Sequence, residues 1–200
     1  SEADMREWRD WFLLKLQRPE GTTHMEMRAY NLVTMRNYMA EEALKGGAEW
    51  LFWLDDDMMG PPNVLEALLA INKPIACGLY MAKKKASERG LAAWMETKTA
   101  GSPYAPGVNG YMSIQRQQAG RVIQVDVTGL GCALINRSVF EKLPKPWFTW
   151  DVGALSEDFT FFERVWASQG IKPVLDMECK FDHIGVFKVN VEGEFSPLEM

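Results

Sequence analysis

An α/β layered domain with a largely parallel central sheet is what this sequence predicts, on three observations. Stretches with helical spacing alternate with short apolar runs between residues 30 and 80, and the connections between them are short. The runs Trp50–Leu54 and Ile75–Tyr80 are continuously apolar, as strands buried on both faces are. The chain has 200 residues, 47% hydrophobic and 24% charged, which fits a single domain 1–200. At that size roughly 70% of the unfolded chain's surface can be buried, so the core needs neither disulfide nor metal.

The elements follow in order. Trp8 to Leu16 looks helical. From Tyr30 to Lys45, Leu32, Val33, Met39, Ala40, Ala43 and Leu44 recur at helical spacing, and Gly46-Gly47 stops the helix. The strand Trp50–Leu54 ends abruptly in Asp55-Asp56-Asp57. Pro61-Pro62-Asn63 opens a second helix with Val64, Leu65, Leu68, Leu69 and Ile71 on one face; Lys73-Pro74 closes it ahead of the strand Ile75–Tyr80. Residues 97–120 are rich in Gly, Pro, Ser and Gln and read as a long surface excursion.

Beyond it, Val122–Val127 alternates as one half-exposed strand, and Gly129-Leu130-Gly131 makes a tight turn before Ala133-Leu134-Ile135. Asn136 or Ser138 caps a short helix through Leu143, followed by the aromatic stretch Trp147–Trp150. The last helix starts at Ser156, buries Phe159, Phe162, Val165 and Trp166, and ends at Gly170; Pro173–Met177 is a closing strand. Trp50 and Trp53 also fall on core-facing patterns.

A net charge of -5 gives no reason to expect bulk nucleic-acid binding or attraction to anionic membranes. The run Lys83-Lys84-Lys85 is either a solvated face or a phosphate contact. Cys77, Cys132 and Cys179 lie far apart in apolar stretches, without metal spacing, and read as buried reduced thiols. No apolar run reaches the ~18 residues of a transmembrane segment, and the polar start is unlike a signal, so the expected compartment is cytoplasmic.

Ligands of open α/β sheets bind outside the carboxyl ends of strands, which is where Asp55, Asp56 and Asp57 fall. Two carboxylates about 5 Å apart repel by about 3 kcal/mol at an effective dielectric near 20, and a divalent cation relieves that repulsion. Magnesium and manganese bridge such carboxylates to substrate phosphates. The plainer alternative is an acidic turn that caps the following helix.

Arg36-Asn37, then Leu54-Asp55-Asp56-Asp57-Met58 with its Asp-x-Asp motif, resemble the family-2 glycosyltransferases. The resemblance covers roughly residues 30–186 and implies a GT-A (nucleotide-diphospho-sugar transferase) fold, a Rossmann-like three-layer sandwich with a mostly parallel central sheet. The family's first strand is missing or unrecognisable ahead of Trp8–Leu16. It implies that Asp55 lies near the donor's ribose or the metal, that Asp57 ligates the metal, and that Arg36 lines the nucleotide pocket with Asn37 and Asp56 nearby. Thr128-Gly129-Leu130-Gly131-Cys132 is similar to the turn that flanks the transferred sugar, which places Gly129 and Gly131 at the donor. Ser156-Glu157-Asp158 resembles the Glu-Asp motif, with Asp158 as the base that deprotonates the acceptor and Glu157 beside it. His183 resembles the late histidine that completes the metal shell.

Each assignment has a plainer alternative: Arg36 as a solvated helix arginine, Glu157 and Asp158 as acids that complement a helix macrodipole, His183 as a structural histidine. Trp150 and Asp151, between the sugar-side turn and the Glu-Asp motif, are placed near the acceptor, and Lys84 near phosphate. The expected function is a metal-dependent transfer of sugar from a UDP- or GDP-sugar to an unknown acceptor hydroxyl, with inversion. The imidazole favours Mn2+ over Mg2+ as cofactor. The alternatives are a nucleotidyl- or phosphotransferase with the same acidic metal site, or a noncatalytic nucleotide- or sugar-binding module.

Overall fold

The structure, a computed structural model, describes residues 2–27, 31–82, 90–96, 110–114, 121–150, 156–184, 187–189 and 195–197. Helix α1 (Glu2–Asp10) runs into a π-helical turn, Trp11–Lys15. In α2 (Leu32–Lys45) the Asn31 side chain accepts the Thr34 N–H at the first turn, and Gly47 takes φ 82° just beyond the last. Then come β1 (Trp50–Leu54), β2 (Met58–Met59), α3 (Val64–Ala70) and β3 (Ile75–Leu79). Strands β4 (Ala93–Glu96), β5 (Tyr111–Ser113), β6 (Val122–Gln124), β7 (Val127–Thr128) and β8 (Cys132–Asn136) precede α4 (Arg137–Glu141). The described chain closes with α5 (Glu157–Gln169), β9 (Val174–Lys180), β10 (Asp182–His183), β11 (Phe187–Val189) and β12 (Phe195–Pro197).

The expected GT-A, Rossmann-like sandwich with a mostly parallel sheet is contradicted by the strand pairing. The central sheet has the order β1-β8-β3-β9-β6, and β3 with β9 is its one parallel pair; β1–β8, β3–β8 and β6–β9 are antiparallel. The helices are also fewer than such a sandwich carries. Strands β1 and β3 do run the same way, but β8 lies between them, antiparallel to both. An apolar run shows that a strand is covered; it carries no information about the direction of its neighbours. Two smaller sheets, β12-β11-β10-β2 and β5-β4-β7, are antiparallel throughout.

Single elements correct other expectations. The strand expected over Val122–Val127 is broken at Val125–Asp126. There Val125 N–H turns to Pro173 O at 3.0 Å, Asp126 N–H turns to Trp94 O at 3.0 Å, and the Asp126 carboxylate accepts from Glu96 N–H and Lys172. Inside the excursion 97–120, residues 111–113 form β5 against β4, while 97–109 and 115–120 lie outside the described residues. Trp166, expected in the core, is 49% exposed, with the Lys172 ammonium 4.4 Å from its ring centre.

Two apolar cores flank the central sheet. One packs Trp53, Ile75, Cys77 and Ile135 against Ala40 of α2, Phe140 of α4 and Phe161, Phe162 and Val165 of α5. The other packs Ala76, Cys132, Leu134 and Cys179 against Val64, Leu65 and Leu68 of α3 and against Trp11 and Leu16. All three cysteines are buried and unpaired, as expected. Among the described residues, no helix is long and apolar enough to cross a membrane.

Phe181, fully buried between β9 and β10, locks the second core. A Cβ on Gly60 would come within 2.5 Å of its ring and one on Gly78 within 2.8 Å, and the Trp11 ring meets it edge-on at 6.4 Å. Phe181→Ala is expected to cost about 3–5 kcal/mol in urea unfolding, because a cavity opens among groups that cannot collapse onto it. Gly78→Ala, which overfills the same space, is expected to cost about 1–3 kcal/mol.

Candidate active site

The Asp cluster emerges from β1 into a tight turn in which Met58 N–H donates to Asp55 O at 3.1 Å. The turn sends its three carboxylates in different directions. Asp55 points to Arg36, Asp56 is exposed, and Asp57 leads into β2. Asp55 N–H donates to Gly131 O at 3.1 Å, which joins the cluster to the glycine turn between β7 and β8.

Arg36 is not the solvated arginine of the plainer reading. It is 4% exposed, with one guanidinium nitrogen 3.5 Å from Asp55 Oδ1 and Nε 3.3 Å from Glu157 Oε1, and it lies 5.6 Å from the Trp53 ring centre. It is therefore a buried counter-ion to both acids. Although 46% of the Asp55 side chain is accessible, the protein packed around its carboxyl raises its pKa; Arg36 opposes the rise and Asp57 adds to it.

Glu157 and Asp158 open α5. Glu157 is buried; burial raises its pKa, the neighbouring Asp158 charge raises it further, and Arg36 pulls it down. Asp158 Oδ1 accepts from the Ser156 hydroxyl and from Phe159 N–H at 2.8 Å. Ser156 thus orients the carboxylate instead of capping the helix backbone. Burial raises the Asp158 pKa, opposed first by the Ser156 hydrogen bond. Oδ2 faces the glycine turn, 3.7 Å from where a Gly129 Cβ would be.

Tyr80, just past β3, was missed from the sequence, where it reads as the last apolar residue of a buried strand. Its hydroxyl accepts Gly131 N–H at 3.0 Å, and its ring meets the His183 imidazole edge-on at 5.8 Å. Side chains on Gly129 and Gly131 would collide with it: their Cβ positions lie 2.2 and 3.0 Å from Oη. Tyr80 thereby explains both glycines on steric grounds. Burial, followed by the charge on Asp55, holds its phenol well above the ordinary value. A signal existed in the sequence: a polar-tipped aromatic at the carboxyl end of the next apolar run after the acidic one.

His183 reaches the site because β10 pairs with β2, setting His183 opposite Met58. Its Nδ1 lies 2.8 Å from Met81 O, and a carbonyl can only accept. Nδ1 therefore carries the proton in the neutral ring. Nε2 lies 3.4 Å from Asp57 Oδ1 and in the neutral ring is the nitrogen left to ligate, the orientation found in metal-ligating histidines. The expected set Asp55, Asp57 and His183 is realised as the pair Asp57 and His183, with Asp55 turned to Arg36. Among the described residues, no three His, Cys, Asp or Glu side chains are grouped to hold a metal ion by themselves.

The Asn37 amide donates to Val33 O and Phe148 O and accepts Phe148 N–H, so it fastens α2 to the aromatic stretch and is occupied there. Trp150 is 57% exposed. Lys84 and Asp151 lie outside the described residues.

No family model matches the chain, and no curated protein matches it. Among solved structures 11 chains match. One is the crystal structure of A197 from STIV, with 18% identity and a TM-score of 0.62, covering 86% of this chain and 78% of that one. At this identity the likeness concerns the fold alone.

Two stability measurements test the electrostatics. Arg36→Met strands Glu157 as an unpaired buried charge and is expected to cost about 3–5 kcal/mol in urea unfolding, most of it recovered by adding Glu157→Gln. Because the folded-state pKa of Asp158 is raised above 3.8, the native state holds more protons than the unfolded one above that pH, and stability falls as pH rises through the window. Asp158→Asn is therefore expected to have a higher thermal midpoint than wild type at pH 7, with the gap closing as pH falls to about 4.

Proposed function

We propose that this chain is a metal-dependent glycosyltransferase that moves a sugar from a nucleoside-diphosphate donor to an acceptor hydroxyl with inversion. The observation that carries the reading is the Asp158 carboxylate. One oxygen is anchored by Ser156 and Phe159 N–H, and the other lies 3.7 Å from where a Gly129 Cβ would be, beside Tyr80, whose ring meets the His183 imidazole. A base that is held in place and partly desolvated suits removal of a hydroxyl proton.

In this reading Asp158 Oδ2 takes the proton of the acceptor hydroxyl as that oxygen bonds to the anomeric carbon. The bond from this carbon to the diphosphate oxygen breaks, and its electron pair leaves with the diphosphate. Asp57 and His183 are the residues that would hold a divalent cation, manganese more than magnesium, with waters and the diphosphate completing its shell. When bound, such a cation supplies positive charge to the departing diphosphate. Gly129 and Gly131 let Tyr80 pack against the turn beside Asp55 and Asp158, where the sugar would lie. Glu157 and Arg36 keep Asp55 and Asp158 in place from below. The buried unpaired thiols are in keeping with a reducing, cytoplasmic setting.

A thermal-shift panel of UDP- and GDP-sugars with and without manganese tests the reading, since a ligand that binds the native state raises its midpoint. A manganese-dependent rise with at least one sugar nucleotide is expected, and its absence across the panel would sink the proposal. His183→Ala is expected to abolish the manganese dependence of that rise. Asp158→Asn is expected to keep the rise while lowering transfer about 10²–10⁴-fold, with free nucleoside diphosphate as the wild-type product. Release of pyrophosphate would point to nucleotidyl transfer instead.

A further inference from the structure

We propose that Tyr80 is a specificity-determining contact: its hydroxyl proton hydrogen-bonds an oxygen on the sugar side of the bound sugar nucleotide, between Asp55 and Asp158. The inference rests on the glycosyl-transfer reading above and adds to it a residue that neither sequence motif includes.

Tyr80 is 6% exposed, and its oxygen already accepts Gly131 N–H at 3.0 Å. The hydroxyl proton must therefore point elsewhere, and among the described residues no acceptor receives it. A buried O–H donor without an acceptor is a penalty that folding leaves standing and a ligand can remove. The phenol oxygen itself fills the space that the two glycines leave, and that sets it beside both carboxylates. From the Cβ position of Gly129, Oη lies at 2.2 Å and Asp158 Oδ2 at 3.7 Å; from that of Gly131, Oη lies at 3.0 Å and Asp55 Oδ2 at 3.3 Å. The phenol thus stands where the two carboxylates converge. Arg36, the cation nearest them, is already held by Asp55 and Glu157. A neutral O–H is what this acidic cleft offers to a sugar hydroxyl or a glycosidic oxygen, and it attracts such oxygens without adding a charge that would pair with the base.

Wild type and Tyr80→Phe are titrated calorimetrically with UDP-glucose, GDP-mannose, UDP and GDP in manganese buffer. For whichever sugar nucleotide wild type binds, the variant is expected to bind roughly tenfold more weakly while its affinity for the matching nucleoside diphosphate is unchanged, the loss associated with one hydrogen bond. Equal affinities for the sugar nucleotide, or equal losses for nucleotide with and without sugar, overturn the Tyr80 contact and leave glycosyl transfer standing. Failure of wild type to bind any of the four overturns the transfer reading and the contact with it. If Tyr80→Phe does not fold with Gly131 N–H unpaired, wild type carrying 3-fluorotyrosine is followed by fluorine NMR instead: the Tyr80 resonance is expected to shift with the bound sugar nucleotide and not with the matching nucleoside diphosphate, and equal shifts overturn the contact.

Discussion

The ion triad of Arg36, Asp55 and Glu157 is the constraint on which the rest of the site depends. It ties the middle of α2, the end of β1 and the first turn of α5 through a guanidinium that is almost fully buried. Desolvating an arginine costs several kcal/mol, so this arrangement holds only because two acids meet it. The same contacts determine where the neighbouring acids stand. With Asp55 drawn down toward Arg36, Asp57 meets His183; with Glu157 drawn inward, Asp158 is left beside the glycine turn.

The acids are thereby separated by environment. Asp55, Glu157 and Asp158 all have raised pKa values, and burial is the first cause in each. What differs is the counterweight. Arg36 pulls down Asp55 and Glu157 before any other group does, whereas hydrogen bonds from the Ser156 hydroxyl and Phe159 N–H do most to offset the rise at Asp158. A carboxylate restrained by hydrogen bonds keeps a free oxygen for chemistry, while one paired with a guanidinium is committed to structure.

Much of this centre could be read from the residues, because it lies at element boundaries that carry strong local signals. The Gly46-Gly47 stop, the end of the apolar run at Asp55 and the start of α5 at Ser156 all fall where spacing and caps place them. Pairing could not be read, since nothing in Trp50–Leu54 or Ile75–Leu79 records that β8 inserts between them. Arg36 and Asn37 show the same limit at the side-chain level. Their partners lie far off in sequence, at Glu157 and Phe148, and only the folded chain reveals them. Tyr80 escaped notice because a tyrosine at a strand end reads as core until its hydroxyl is seen against a glycine.

The residues of this centre belong to different sheets. Asp55 and Tyr80 extend from strands of the five-stranded sheet, whereas His183 sits on the four-stranded one, and the chain crosses from one to the other at Phe181, whose N–H bonds to Leu79 O at 2.8 Å. A single buried phenylalanine is thus the hinge pin between the imidazole and the carboxylates. Repacking around that ring would change the gap between them without touching either, so their spacing is set in the hydrophobic interior, one residue before the strand that carries the histidine.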